Sequence, residues 1–484
     1  MSRLVFVVLG LTLFGIGVLM DVPAMIDVEW DNPDWWNFLA SSILCLFVGG
    51  AMVLMARTDM YHFDIRHGYA LTIGCWILVS MATALPFWIS GLNLSFTDSV
   101  FEAVSGLTTT GATVITSLGD VPPGMLIWRG MLQWIGGIGI IVMAIFMLPL
   151  LRVGGMQLFR IESSESSEKT FPRVSQFISA IVGIYVALTL ICFVALHLEG
   201  MTTLEAVVHA MTTISTGGFS TADTSIKHFN SPIVEWTLII FMLAGAIPFL
   251  FYVRLLRRSG HSRVIAGQVR NFLLFLVVII IVISLWLASS LHIQPLDAIR
   301  YAAFDVISVV TTTGFVSEDY GSWGGFAAVG FFFLMFVGGC TGSTAGSIKF
   351  MRFEIGVLAL RRELRKIISP NGVFPFLYHG QKIQRRVVES VLMLTLLYVG
   401  ATIFLAISLS LTGLDFTTSF SGAVSAVGNV GPGLGEIIGP AGNYSSIGDS
   451  AKWLLIVGMI LGRLEVMTVL VFLSPHFWRD GFSN

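Results

Sequence analysis

The sequence predicts an all-α integral membrane protein built from four related units around one pore. Three observations predict this: a strongly apolar composition, four glycine-centred turns in one register, and an uneven distribution of basic residues. Of the 484 residues, 55% are hydrophobic and only 12% are charged, about half the charge of an average soluble domain. We therefore expect lipid to surround much of the chain.

Long apolar runs define the predicted membrane spans. One crossing needs about 20 residues, and ten runs meet this requirement. They lie at 4–24, 38–56, 69–91, 125–150, 176–197, 234–253, 271–291, 325–349, 387–411 and 451–473. The first follows Arg3 and has no small-residue cleavage site after it, so we interpret it as a retained helix rather than a signal peptide.

The distribution of charge predicts the orientation. Most of the 27 basic residues fall in alternate segments, most densely at 254–270 and 349–386. These segments face the cytoplasm by the positive-inside rule, which places both termini there too. Most of the 29 acidic residues then face outward, where they would concentrate cations. They include Asp27, Glu29, Asp31, Asp34, Glu102, Glu205, Asp305, Glu318, Asp319 and Glu436.

One short turn occurs four times in the chain, which indicates an internal repeat. The turns centre on Gly111, Gly218, Gly314 and Gly431, and the residues six places earlier are Ser105, Thr212, Ser308 and Ser425. The segments 97–108, 203–215, 297–310 and 416–428 precede them and are too short and polar to cross. We predict re-entrant pore helices there. A single such turn could be an ordinary connector, whereas four in register favour a shared function.

The repeats organise the chain into five parts. After two initial spans, each pair of spans encloses one short helix and one turn, so all four units insert in the same orientation around one axis. The predicted parts are a two-helix extension at 1–67 and pore repeats at 68–173, 174–268, 269–384 and 385–484. Only the third repeat is predicted to have an interrupted second helix.

The chemistry of the turns predicts a potassium filter. Such a filter uses backbone carbonyls to replace the ion's water shell, and glycine allows the backbone conformation that this requires. The predicted ion-binding residues are Thr109, Thr110, Gly111, Thr216, Gly217, Gly218, Thr312, Thr313, Gly314, Asn429, Val430 and Gly431. Asn429 replaces a threonine, so we expect weaker or fewer sites than in a four-fold filter. The turns contain no carboxylate, which favours monovalent cations.

Several runs resemble signatures of the Trk/Ktr/HKT superfamily of potassium transporters, most like the bacterial TrkH and TrkG subunits. They are Leu107–Thr113, Gln133–Gly137, Gly431–Glu436 and Gly462–Glu465. The resemblance covers essentially the whole chain, because two extra N-terminal spans distinguish Trk-type from Ktr-type subunits. It implies potassium uptake across a bacterial inner membrane, with K⁺ as the transported ion and no cofactor in this chain. Sodium-selective plant relatives carry serine at the position of Gly111, so this glycine favours potassium.

A glycine-rich segment at 338–347 and Arg463 are the predicted gate. The segment contains too much glycine for a regular helix, and a charge within a span is costly and usually functional. The resemblance implies that the segment is an intramembrane loop below the filter and that Arg463 beside it repels cations. A small-residue packing face remains the alternative for the loop, and Glu465 is a local candidate partner for Arg463. The gate residues are Gly338, Gly339, Gly342, Gly346 and Arg463.

The resemblance also implies partners. The basic segment Lys349–Arg386 could anchor to anionic headgroups, and by resemblance it docks a cytosolic nucleotide-binding regulatory subunit similar to TrkA. The chain itself has no Gly-x-Gly-x-x-Gly motif after a strand. A homodimer is implied by the family, and no nucleic-acid partner is predicted.

Two other functions compete with a gated channel-like transporter. A proton- or sodium-coupled symporter could use the same pore, but no chain of buried carboxylates along the axis is predicted. A membrane-embedded enzyme would need clustered reactive residues, yet the nine histidines are scattered and no hydrolase motif is present. The four cysteines have unrelated spacings and imply neither a disulfide nor a metal site. They are Cys45, Cys75, Cys192 and Cys340.

Overall fold

The computed structural model describes residues 3–56, 65–147, 174–256 and 263–479, and these are predominantly helical. The helices are α1 (Arg3–Glu29), α2 (Trp35–Met55), α3 (Ile65–Thr83), α4 (Leu85–Ile89), α5 (Phe96–Leu107), α6 (Pro123–Met147), α7 (Val174–Leu198), α8 (Thr203–Ile214), α9 (Pro232–Ala246), α10 (Phe249–Leu256), α11 (Arg263–Ser290), α12 (Pro295–Val310), α13 (Gly325–Leu334), α14 (Phe350–Ile368), α15 (Arg385–Ser410), α16 (Phe416–Gly428), α17 (Gly435–Ile438), α18 (Asp449–Arg463), α19 (Val466–Leu473) and α20 (Pro475–Arg479). Short 3-10 turns lie at Leu118–Asp120, Ser225–Phe229 and Tyr320–Trp323. A two-residue hairpin pairs β1 (Leu377–Tyr378) with β2 (Gln381–Lys382).

Most of the predicted spans are present as long apolar helices. Within the described residues, seven stretches are long and apolar enough to cross a membrane: Arg3–Glu29, Trp35–Met55, Arg66–Ile89, Pro123–Val142, Gln176–Leu198, Arg263–Ser290 and Arg385–Ser410. Two more candidates are bent pairs, α9 with α10 and α18 with α19. The remaining apolar run, 325–349, is helical only over its first part, α13. The helical membrane-protein class is confirmed, and the count of ten spans stays a prediction.

The bent pairs show that interruption is not confined to the third repeat, so that expectation was wrong. The bend between α9 and α10 is 91°, and it arises because Ile247 precedes Pro248 and is forced out of the helical region, with ψ of 147°. The bend between α18 and α19 is 102°, and Glu465 there has a φ of 59°. The second helices of repeats two, three and four are therefore all broken.

The four short helices lie within two residues of their predicted positions. They are α5, α8, α12 and α16, and three of them begin with a side-chain cap that satisfies a free backbone N–H. Ser95 accepts from the amide of Asp98, Thr202 from that of Glu205, and Asp415 from that of Thr418. In α5, every residue from Ser99 to Leu107 is buried. The short helices therefore lie inside the protein, surrounded by the long ones.

Small residues bring the N-terminal helices α1 and α2 together. A Cβ added at Gly10 would lie 2.8 Å from the carbonyl oxygen of Gly49, and one added at Gly49 would lie 2.6 Å from that of Gly10. Gly17 approaches the carbonyl oxygen of Ser42 in the same way, at 3.1 Å. Close backbone contact of this kind is how apolar helices associate in lipid. The extension therefore packs as a helical pair.

Asp27 in the last turn of α1 joins this pair to α6. Its carboxylate is fully buried, and Oδ1 accepts a 2.7 Å hydrogen bond from the amide of Gly124 in the first turn of α6. A negative charge at a helix N-terminus is stabilising, because the free N–H groups and the helix dipole both favour it. Asp27 was predicted to face outward with the other acidic residues, and the structure buries its side chain against the N-terminal end of α6.

The basic segment at 349–386 is folded against neighbouring long helices. Met351 and Ile355 of α14 pack with Tyr378 of the hairpin and with Val387 and Val391 of α15. Glu354 joins the parts by accepting hydrogen bonds from Tyr378 Oη at 2.6 Å and from Asn271 Nδ2 of α11 at 2.7 Å. Arg361 and Arg365 remain exposed on α14. The segment therefore presents basic side chains from a fixed platform.

Replacing Asp27 with alanine should weaken the attachment of α1 to α6. The substitution removes a cap and leaves the first turn of α6 without its acceptor, which costs about 1–2 kcal/mol. We expect a lower midpoint of thermal unfolding for the detergent-purified protein. Glu29→Ala is the matched control, because Glu29 is exposed near the same helix end. Equal midpoints for the two variants would contradict the assigned role of Asp27.

Candidate functional site

The four glycine turns share one unusual backbone conformation. In each turn, the residue two places before the central glycine and the glycine itself both have positive φ. The first set is Thr109 at 55°, Thr216 at 52°, Thr312 at 57° and Asn429 at 53°. The glycines are Gly111 at 84°, Gly218 at 76°, Gly314 at 80° and Gly431 at 104°. Positive φ is strained for a β-branched residue such as threonine, and such strain persists only where the surroundings impose it.

The four turns surround a common centre. A Cβ added at Gly111 would meet the carbonyl oxygen of Gly217 in the second turn. The same relation continues from Gly218 to Thr313, from Gly314 to Val430 and from Gly431 back to Thr110. Each approach would be closer than 3.0 Å. The contacts close a ring in chain order, so only glycine fits at these four positions.

Hydroxyl groups on the short helices hold three of the turns from behind. Ser105 donates to the carbonyl oxygen of Ala112 at 2.6 Å, Ser308 to that of Phe315 at 2.6 Å, and Ser425 to that of Gly431 at 2.8 Å. These are the residues six places before the glycines, which the repeat pattern singled out. In the second repeat, Thr212 bonds to its own helix at His209, so this turn needs another support.

Gln133 of α6 supports the second turn. Its Nε2 donates to the carbonyl oxygen of Gly217 at 2.6 Å, and its Oε1 accepts from the amide of Phe219 at 3.0 Å. The side chain is fully buried and uses both ends of the amide on one turn. Gln133 lies in a run that resembles a family signature, but the sequence did not indicate this contact.

Polar residues nine places before three of the glycines also bind their turns, and sequence reasoning did not identify this pattern. Glu102 accepts from Thr113 Oγ1 at 3.0 Å and from the amide of Val114 at 3.0 Å. Asp305 accepts from the amide of Ser317 at 3.1 Å, and His209 Nε2 lies 3.1 Å from Ser220 Oγ. The sequence contains the signal for this pattern, because Glu102, His209 and Asp305 all lie nine residues before the central glycine of their repeat.

Glu102 and Asp305, which were predicted to lie on the outer side of the membrane, are enclosed within the protein. Both are fully buried. Glu102 forms a 2.8 Å ion pair with Arg129, which also donates to the carbonyl oxygen of Ser220 at 2.9 Å and stacks on Phe219 at 4.1 Å. Arg129 therefore neutralises a charge of the first repeat while joining it to the second.

The segment 338–347 is a loop that packs against the second repeat. Gly338 and Gly342 have positive φ, 73° and 83°, which a regular helix does not permit. The amide of Cys340 donates to the carbonyl oxygen of Ala246 at 3.0 Å, where α9 ends. The bend after α9 thus exposes a carbonyl group that the loop satisfies. The irregular segment is hydrogen-bonded within the protein interior, as irregular backbone at membrane depth must be.

The loop also touches the turns themselves. The amide of Gly346 donates to Thr312 Oγ1 at 2.7 Å, and Thr216 Oγ1 donates to Thr344 Oγ1 at 3.2 Å. The amide of Ser347 donates to the carbonyl oxygen of Gly428 at the end of α16, at 2.9 Å. The loop therefore contacts the start of two turns and the end of a third short helix.

Arg463 lies beside this loop, and its partners are backbone carbonyl groups. Nη1 donates to Thr344 at 3.1 Å and Nη2 to Gly136 of α6 at 3.0 Å, and the side chain is buried. Glu465, the local candidate partner, instead pairs with Arg352 of α14. No carboxylate contacts Arg463 among the described residues, so its positive charge is not neutralised by an ion pair.

Lys349 adds a second cation next to the loop. Sequence reasoning counted it with the cytoplasmic basic segment, but its Nζ donates to the carbonyl oxygen of Ala345 in the loop. Its backbone φ is 77°, so the chain turns sharply where the loop passes into α14. The loop therefore contacts two basic side chains, those of Arg463 and Lys349.

Asn429 has the same backbone conformation as the threonines at this position in the other three turns. Its side chain makes different contacts. Its Nδ2 donates to Thr110 Oγ1 of the first turn at 2.9 Å and to the carbonyl oxygen of Met459 of α18 at 3.0 Å. Its Oδ1 is buried without a hydrogen-bond partner. The change from threonine thus alters the side chain and leaves the backbone symmetry of the ring intact.

Comparisons with known proteins agree with this architecture. Residues 36–480 match the family model TrkH, described as a cation transport protein. The chain is 42% identical to the Trk system potassium uptake protein TrkI of Halomonas elongata, over 96% of this chain and 94% of that protein. It is 34% identical to TrkH of Escherichia coli K12, over 98% of each. The crystal structure of the potassium transporter TrkH from Vibrio parahaemolyticus matches with a TM-score of 0.90 and 34% identity, over 99% of both chains.

Replacing Gly111 with alanine should disrupt the ring. A left-handed backbone costs an alanine about 1–2 kcal/mol, and the new Cβ would displace the carbonyl group of Gly217. We expect most of the cation flux through reconstituted protein to be lost. Gly119→Ala is the control, because Gly119 is exposed in the following loop and has open space around it. Wild-type flux in the Gly111 variant would show that the ring does not carry ions.

Proposed function

Since the chain belongs to the TrkH family of cation transport proteins, we propose that it takes up potassium across the inner membrane of a bacterium. The observation that carries this proposal is the closed ring of four glycine turns with carbonyl groups between them. The relatives are named as potassium uptake proteins and a potassium transporter, so the chain belongs to a transporter family and is not an enzyme.

The ring has the properties that a potassium site needs. Carbonyl oxygens replace the water shell of the ion, and Thr110, Gly217, Thr313 and Val430 supply one such oxygen each around the centre. The short helices end at the turns, so the negative ends of their dipoles add a favourable potential for a cation. The predicted filter residues, from Thr109 to Gly431, are therefore proposed as the K⁺ ligands, and no carboxylate is needed among them.

The loop 338–347 and Arg463 are proposed as the gate. The loop lies against Thr216 and Thr312 at the start of their turns, and Arg463 binds the loop at Thr344. An unneutralised arginine repels a permeating cation strongly where little water is present to screen it. Opening requires the loop to leave the turns, and Arg463 would move with it because they share a hydrogen bond.

The remaining organisation follows from the repeat. We propose ten spans, with the extension at 1–67 and the pore repeats at 68–173, 174–268, 269–384 and 385–484 arranged in parallel around the ring. Part of this division lies outside the described residues, including the boundary at 173/174. Both termini are proposed to be cytoplasmic, on the basis of the basic inner segments.

Two partners are proposed. A cytosolic nucleotide-binding regulatory subunit would dock on the basic platform formed by α14 and the hairpin, where Arg361 and Arg365 are exposed. The relatives are named as members of a Trk system, which supports a multi-subunit assembly. The platform would give the regulatory subunit a rigid surface on which to act. A homodimer is proposed separately, from the family resemblance.

Ion selectivity and coupling can be measured on the purified full-length chain in liposomes. With an imposed potassium gradient, flux should stop at the potassium equilibrium potential whatever the proton or sodium gradient, because a carbonyl ring needs no coupling ion. A stopping potential that moves with either gradient would establish symport. Equal passage of sodium would refute the assignment of the ring as a potassium filter.

Replacing Arg463 with alanine should raise potassium flux several-fold in the same liposomes. The variant loses a buried positive charge and its hydrogen bond to the loop, so both the electrostatic and the steric barriers fall. Arg270→Ala removes an equal charge from an exposed position on α11 and serves as the control. Unchanged flux in the Arg463 variant would refute the proposed gate.

A further inference from the structure

We infer that the hydroxyl group of Thr312 serves the ion and the gate in alternation, so that potassium at the inner end of the filter and closure of the loop exclude one another. This inference rests on the proposed filter and deepens it, because it names the residue through which ion occupancy and loop position are linked. Thr312 is fully buried, and its Oγ1 accepts the 2.7 Å hydrogen bond from the amide of Gly346.

The loop presents N–H groups where a cation would bind. Besides the bond from Gly346 to Thr312, the amide of Ser347 donates to the carbonyl oxygen of Gly428, at the end of α16. Backbone N–H groups carry partial positive charge and here satisfy oxygens at the C-terminal end of a short helix. At this end of the ring, the N–H groups of the loop therefore supply the partial positive charge that a bound cation would otherwise supply.

An N–H group and K⁺ compete for the same oxygen. The hydrogen atom of Gly346 points at Thr312 Oγ1, so a potassium ion coordinated by that oxygen would meet a positive dipole at close range. The same argument applies less strongly to Thr216, whose hydroxyl donates to Thr344. Thr344 Oγ1 also bonds to the carbonyl oxygens of Ile214 and Gly245, at 3.1 and 3.0 Å, so this anchor survives without Thr216.

The first repeat provides an internal comparison. Thr109 has the register position and left-handed backbone of Thr312, and it too is buried. Its hydroxyl makes no hydrogen bond to the loop, all of which lies in the described range 263–479. Removing either hydroxyl takes one oxygen from the inner end of the filter, whereas only Thr312 also anchors the loop. Comparing variants of Thr109 and Thr312 therefore distinguishes the effect on ion coordination from the effect on gating.

Linkage makes the competition reciprocal. If the closed loop withdraws Thr312 from the ion, then a bound ion must weaken closure by the same factor. Potassium should thus favour the open loop. Loss of one neutral hydrogen bond corresponds to about a five-fold shift of such an equilibrium. We expect Thr312→Val, which keeps the shape and the β-branching, to shift the loop toward opening by about this factor.

A native cysteine reports the position of the loop. Cys340 lies within it and is fully buried, so thiol labelling requires the loop to move. The test uses full-length protein in liposomes with Cys45, Cys75 and Cys192 replaced by alanine. Labelling by a maleimide is measured at constant ionic strength while K⁺ is exchanged for choline, and potassium half-saturation of flux is measured on the same samples.

The expected results differ between the variants. Thr312→Val should label about five-fold faster than its parent in choline, and added K⁺ should accelerate labelling less than in the parent. Thr109→Val should keep the parent's labelling rate in choline. Both variants should need more potassium for half-saturation, Thr216→Val should label at an intermediate rate, and Thr312→Ser should restore the parent's behaviour.

Two results overturn different claims. If Thr312→Val and Thr109→Val label equally and respond equally to K⁺ while both need more potassium, the link between Thr312 and the loop is refuted and the filter stands. If neither variant changes the potassium requirement, the assignment of these threonines to the filter is refuted, whatever the labelling rates are.

Discussion

Every feature of the interior depends on keeping four irregular backbone turns at membrane depth. Backbone polar groups there have no water to bind, so each must find a partner within the protein or face a wet pathway. The turns place the carbonyl groups of one repeat beside the glycine of the neighbouring one, around the centre that we propose the ion occupies. A side chain at Gly111 or its counterparts would occupy the space of a carbonyl oxygen, so the ring exists only because these residues lack a Cβ.

The ring is symmetrical in its backbone and unsymmetrical in its supports. Ser105, Ser308 and Ser425 fasten their turns with hydroxyl groups, whereas the second turn is held by Gln133 from α6. The fourth turn has an additional donor in Tyr444, whose Oη bonds to the carbonyl oxygen of Gly431 at 2.8 Å. One backbone geometry can therefore be maintained by different side chains, so the four repeats share the geometry of the ring without sharing its supports.

The extent to which sequence predicts this structure depends on whether a feature is local. The short helices were found within two residues because caps such as Thr202 and the shared register are encoded locally. The sequence did not predict the burial of Asp27, Glu102 and Asp305, because burial depends on partners that are remote in sequence. Gly124, the partner of Asp27, is an example. The dipeptide Ile247-Pro248 predicts the first bend, because a residue before proline disfavours the helical conformation, and we overlooked it. The bend at Glu465 has no comparable local signal in the sequence.

The position of Arg463 explains how a local change at the loop could reach the whole pore. Its two hydrogen bonds join the loop at Thr344 to α6 of the first repeat at Gly136. The loop belongs to the third repeat, bonds to Ala246 of the second, and donates to Gly428 of the fourth. Four repeats thus meet at one segment whose bonds are mostly to backbone carbonyl groups. Because carbonyl groups neutralise a cation less completely than a carboxylate does, the proposed gate retains a positive charge that would oppose potassium. The same weak neutralisation lets the arginine leave without stranding a buried anion.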